Sequence, residues 1–157
     1  MEIINKKNIF FITLISIFIV FSVFLFSYFN LGLFLKSQNI KFIQIAGQKI
    51  KVELALTHSE QIKGLSGRKN INDDAGMLFI FEKLSNDKFW MKDMNFSVDM
   101  IWIDSDSNII YIEKNVDPSS YPNTFGPNQD YKYVLEVKAN FSEKNNLKVG
   151  EKVKFLP

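Results

Sequence analysis

From Ile9 to Phe29 the chain carries no charged residue, and its apolar character persists with small interruptions to Leu35. About 20 such residues, wound as a helix, cross the hydrocarbon core of a bilayer. Any water-soluble domain must therefore be built from the residues that follow. The run starts after Lys6 and Lys7 and ends in Leu31-Gly32-Leu33-Phe34-Leu35. That ending offers no small-residue cleavage site, and the run exceeds the apolar region of a secretory signal. The expectation is an uncleaved signal anchor over residues 9–35, with 1–8 in the cytoplasm, 36–39 as a linker and 40–157 as an exported domain. Lys6 and Lys7 favour that orientation, while Lys36, Lys41, Lys49 and Lys51 pull the other way. Long domains translocate largely regardless of charge, so export to the outer side of a cell inner membrane, periplasmic or extracellular, is the adopted reading.

Composition then excludes several functions. Setting aside Glu2, Lys6 and Lys7 leaves 17 basic and 16 acidic residues, a balance that argues against nucleic acid as the main partner. Cysteine is absent, so disulfides, thiol nucleophiles, cysteine metal sites and lipoprotein anchoring are all excluded. His58 is the single histidine, which removes multi-histidine zinc sites and leaves a serine nucleophile without its usual base. Asp104, Asp106 and Asn108 echo a calcium loop, but Ile109 and Asn115 stand where glycine and glutamate are required, so the segment reads as a hairpin turn. No metal or cofactor is implied.

The soluble part reads mainly as β-structure. Lys41 to Ala46 and Lys49 to Leu56 have strand patterning, and Gly47-Gln48 between them suits a type II′ hairpin. Thr57-His58-Ser59-Glu60 is a capping box opening a short helix that Gly64 and Gly67 end, with Arg68 and Lys69 near its carboxy terminus. Gly76 to Phe81 is a continuous apolar run expected at the centre of the sheet. Lys88 to Met91 and Val98 to Ile103 follow as strands, Asp99 sharing a face with Ile101 and Ile103 while Met100 and Trp102 face the other way. Ile109 to Val116 completes a hairpin. The stretch from Asp117 to Asp130 is a long loop of the kind that binds or covers ligands. Tyr131 to Val137 is a strand, Asn140 to Asn145 a short helix and Lys152 to Leu156 a last strand. The expected architecture is mainly β (α+β): a compact, mostly antiparallel barrel or sandwich with two short helices, preceded by one transmembrane helix.

Several linked motifs between Lys49 and Phe155 resemble a bacterial and archaeal family, domain of unknown function 192. They are Gly64-Leu65-Ser66-Gly67-Arg68, Ala75-Gly76-Met77-Leu78-Phe79-Ile80-Phe81 and Phe89-Trp90-Met91-Lys92, followed by Asp99, Ile103-Asp104, Val134-Leu135-Glu136 and Val149-Gly150. The resemblance implies a small β-rich domain, often behind a signal or anchor, and supplies no activity. The chain departs from the family at Asp93-Met94, where Asn-Thr is common, and at Ser97-Val98-Asp99, where Pro-Leu-Asp is common.

The candidate site gathers Arg68, Lys92, Asp93, Asp99 and Glu136 beside Trp90. On one reading the cations hold a small anionic or hydroxyl-rich ligand against the indole. On another, Asp99 and Glu136 pair with Arg68 and Lys92 to pin the glycine loop onto the barrel. Asp99 with Glu136 or Asp93 also suggests an acid/base pair acting on a glycan. The chain reads as a binding domain before an enzyme, its partners being the bilayer through the amino-terminal helix and a small-molecule or glycan ligand. An accessory module docking on an envelope protein is the third reading. An exposed apolar patch at Tyr121 or Phe125 would favour docking, a deep pocket at Trp90 a small ligand.

Overall fold

In a computed structural model the described residues are 6–37 and 39–157, with side chains described at 11–29 and 39–157. The chain divides into two compact units between Gln38 and Asn39. The first contains helix α1, Lys6–Ser37, within which Phe11–Phe29 is long and apolar enough to cross a membrane. Two of its hydroxyls are satisfied inside the helix, Ser16 Oγ donating to the Thr13 carbonyl and Ser22 Oγ to that of Ile19, both at 2.8 Å. Such internal satisfaction is what a polar group in hydrocarbon requires. The expected linker over 36–39 is helical through Ser37. Gln38, and residues 1–5 of the expected cytoplasmic end, lie outside the described residues.

The second unit is a seven-stranded sheet curled into a half-barrel. Its strands are β1 (Phe42–Ile45), β2 (Gln48–Ala55), β3 (Ala75–Ser85), β5 (Val98–Ile103), β6 (Ile109–Val116), β8 (Tyr131–Lys138) and β9 (Lys154–Leu156), in the order β6-β5-β8-β3-β2-β1-β9. Strands β4 (Phe89–Trp90) and β7 (Thr124–Phe125) form a separate ribbon. All neighbours are antiparallel except β2 and β3. A parallel pair needs a crossover connection, and helix α2 (His58–Lys63) lies on it. Thr57 caps α2 as expected, accepting from the Glu60 amide while the Glu60 carboxylate accepts from Thr57 and Leu56. Helix α3 is Phe141–Lys144.

Strand alternation sorts the core into two layers. Ile43, Leu78, Ile101, Ile109 and Leu135 belong to one cluster. It joins β1 to β6, strands near opposite ends of the sheet order, so it fills the inside of the curl. The two margins also meet directly: the Ile109 amide donates to the Glu151 carbonyl, and the Val153 amide to that of Ser107, each at 2.9 Å. The second cluster, with Met77, Phe79, Met100, Trp102 and Val134, lies on the outer face, with Leu65, Met91 and partly buried Phe89 and Phe125 packed over it.

Two local expectations are corrected. The register pairs Ile45 with Gln48, so the hairpin loop is Ala46-Gly47, with φ of 47° and 76°. Positive φ at both central positions is a type I′ turn, whose twist matches that of the flanking strands. The long loop is not structureless either: it holds a 3₁₀ turn at Pro118–Ser120, capped by Asp117, and strand β7.

Candidate functional site

Outside the barrel core, the crossover segment and the β4–β7 ribbon leave a pocket of about 480 Å³. That volume lies in the small-molecule range of about 300–1,000 Å³. Its deepest lining residues are Leu65, Phe79 and Glu136, all buried; Phe81, Phe89 and Met94 are half-buried, and Ile62, Lys88, Trp90 and Thr124 are exposed at the mouth. The walls are rigid because the aromatic rings brace one another edge to face. Phe79 and Phe89 lie 5.0 Å apart at 79°, Phe81 and Tyr131 5.2 Å apart at 82°, and Phe89 and Trp102 5.7 Å apart at 83°.

Glu136 enters the pocket because of strand alternation on β8. Leu135 and Val137 turn into the barrel, so Glu136 turns outward, in register with Met77 of β3 on one side and Met100 of β5 on the other. The residue is 4% exposed, and its Oε2 has no hydrogen-bond partner among the described residues. Burial pushes the carboxyl up to about 8, which favours its protonated form at pH 7. Trp102 Nε1 and Ser142 Oγ are also buried without a partner among the described residues, but neither residue lines the pocket.

Gly64 makes this floor reachable. It ends α2 at φ 48° and ψ −133°, a backbone state that side chains resist. A Cβ there would sit 3.3 Å from the Phe79 ring and 3.8 Å from Glu136 Oε2. The segment after it is fastened to the loop after β4: Ser66 Oγ donates to the Lys92 carbonyl, the Gly67 amide to that of Asp93, and Asn95 Nδ2 to that of Arg68, all within 2.8–2.9 Å. On the opposite wall the Lys88 ammonium reaches the carbonyls of Gly126 and Pro127 at 2.9 and 2.5 Å, binding β4 to the long loop.

The structure brings together two of the six expected site residues, Trp90 and Glu136, as pocket lining. Arg68 instead forms a two-pronged ion pair with Glu53 at 2.6 and 2.7 Å, holding that carboxylate below its ordinary range. Lys92 and Asp93 are exposed and contribute backbone carbonyls to the loop clasp. Asp99 is fully buried and accepts the amides of Asn115, Asn140 and Ser142 at 2.8, 3.2 and 2.7 Å, capping α3 from across the sheet. Asp99 is in register with Val137, so its side chain leaves the sheet on the face opposite Glu136. Neither the ion-pair network over Asp99 and Glu136 nor their acid/base pairing is formed. Gly64, Phe79, Phe81, Phe89 and Met94 complete the site and were not singled out as its residues; the positive φ of Gly64 has no sequence signal beyond the glycine itself.

A family model described as an uncharacterized ACR, domain of unknown function 192, matches residues 41–155. The chain belongs to this family. Two solved structures are similar to it. One is a Sinorhizobium meliloti protein proposed as a transcription regulator, 29% identical, with a TM-score of 0.68 over 73% of this chain and 90% of that one. The other is a protein of unknown function from Novosphingobium aromaticivorans, 27% identical, with a TM-score of 0.69 over 73% of this chain and 84% of that one. No protein of curated function matches the sequence. In both solved structures the matched region takes up most of the chain, 90% and 84%, so this fold stands there with little else beside it.

The Glu136 carboxyl makes stability depend on pH with a definite sign. An ordinary glutamate titrates at 4.5, so between about pH 4.5 and 8 the unfolded chain loses a proton that the folded chain keeps. Stability therefore falls as pH rises through that window and levels off above it, a total loss of order 5 kcal/mol at most. Urea unfolding of residues 39–157 should show this decline between pH 5 and 8, and Glu136→Gln should flatten it. Parallel profiles for the two proteins would contradict the assignment.

Proposed function

We propose that the domain binds a small uncharged molecule in the pocket beside Trp90, laying a flat apolar face on the aromatic wall and a hydroxyl or carbonyl on Glu136. The observation that carries this reading is the buried, partnerless carboxyl at the floor of an aromatic pocket. A polar group left in that state costs free energy in the empty protein, and a ligand that hydrogen-bonds it recovers the cost. Of the two ligand chemistries suggested by sequence, anionic and hydroxyl-rich, the anionic one is disfavoured. An anion would find no free cation in the pocket's interior, because Arg68 is paired with Glu53, Lys92 does not line the pocket and Lys88 is engaged by the long loop.

The features that would separate docking from ligand binding point the same way. Tyr121 is exposed, but Phe125 packs on the outer core layer instead of extending an apolar patch. The regulator role proposed for the Sinorhizobium relative supplies no ligand for this pocket, and the near-neutral charge of the domain does not favour a phosphate backbone. Helix α1 supports a tether in the inner membrane, and Lys6 and Lys7 before its apolar run favour a domain outside the cytoplasm, where it would meet solutes of the cell envelope.

Methionine-methyl NMR of residues 39–157 against neutral carbohydrates and neutral aromatics tests the binding. Met94 should shift, Trp90→Ala should weaken the response about tenfold, and Arg68→Ala should leave it unchanged. No response at Met94 to either class would end the proposal. For the tether, protease added to spheroplasts should digest the domain; full protection would place it in the cytoplasm.

A further inference from the structure

Of the eight polar side chains that line the pocket, four are committed to hydrogen bonds within the domain. Gln61 Nε2 donates to the Ile80 carbonyl at 3.0 Å, Ser66 Oγ to that of Lys92 at 2.8 Å, and Lys88 to the long loop. Asp87 accepts from Ser85 Oγ at 2.8 Å, out at the exposed rim. His58, Lys63 and Thr124 are exposed at the mouth. In the interior this leaves Glu136, surrounded by Leu65, Phe79, Phe81, Phe89 and Met94. A polyol pushed to this floor would exchange several water hydrogen bonds for one protein partner, and each hydroxyl left over costs about 1–3 kcal/mol.

We infer that the occupant is a flat hydrophobe bearing a single oxygen acceptor at its buried end, an aromatic or alicyclic ketone, quinone or alcohol, and that Glu136 selects it by donating the carboxyl proton in a hydrogen bond. This rests on the reading of the pocket as a ligand site. It also goes further, because it excludes sugars and ions from the floor. Glu136 acts here as a specificity-determining residue. The ring stack fixes the plane of the ligand, and the carboxyl, held between Met77 and Met100, fixes which end enters first.

A matched series on one ring system decides it: naphthalene, 2-acetylnaphthalene, 2-naphthoate, 2-naphthylmethylammonium and, as a polyol, cellobiose, each titrated into residues 39–157 at pH 6.5 with Met94 as reporter. The ketone should bind about tenfold tighter than naphthalene. Glu136→Leu should abolish that advantage while still binding naphthalene, and Glu136→Gln, which keeps a donor, should preserve most of it. The wild-type ranking decides even where the leucine variant fails to fold. Equal affinity for ketone and naphthalene, or tightest binding of the ammonium, the carboxylate or cellobiose, would overturn this ligand class while leaving a ligand site in place. Failure of every compound to move Met94 would instead remove the ligand site itself.

Discussion

Strand β8 sits between β3 and β5, and the alternation of its side chains governs both sides of the sheet. Leu135 and Val137 must enter the barrel interior, so Glu136 must leave on the outer face, flanked by Met77 and Met100. A register slip that freed the carboxyl would turn the whole apolar set of β8 out of the core. The acid is therefore held in an apolar setting by packing that it does nothing to stabilise. Its burial is tolerated because the group gives up its charge.

What covers that acid explains why the two most conspicuous motifs face each other in space. Gly64 to Arg68 and Phe89 to Lys92 form adjoining walls, held by hydrogen bonds to the backbone carbonyls of Lys92, Asp93 and Arg68 and not by their charges. Arg68 serves a different purpose, fastening its segment to Glu53 on β2. Met91 is buried between the aromatic wall and the outer core, which sets Trp90 at the mouth of the pocket. The polar residues of these motifs thus shape a cavity whose interior chemistry comes from rings and from a single carboxyl.

Much of this fold is legible in the sequence because the determining signals are local. The capping box at Thr57 and Glu60, the apolar run of β3 and the two faces of β5 each follow from residue periodicity or cap chemistry, and each is present. The site was only partly legible, because charge draws attention to residues whose partners are distant in sequence. Arg68 finds Glu53, and Asp99 finds amides at 115, 140 and 142, pairings that no local pattern announces. Glu136 is the one acidic member of the expected site that the pocket keeps, and what separates it from the equally buried Asp99 is the absence of partner amides, which only the fold reveals. The Ala46-Gly47 turn is not legible because glycine normally opens such a loop, whereas here alanine occupies the first left-handed position.

The central claim is that Glu136 is a neutral, partnerless acid at the floor of the pocket. Titrating the side-chain carboxyl carbon of Glu136 by carbon-13 NMR in residues 39–157, with Glu136→Gln used to assign the resonance, addresses it directly. The account predicts a midpoint of about 8. A midpoint near the ordinary 4.5 would mean that the carboxylate is solvated or paired, and the pocket would then lack the feature on which its function is argued.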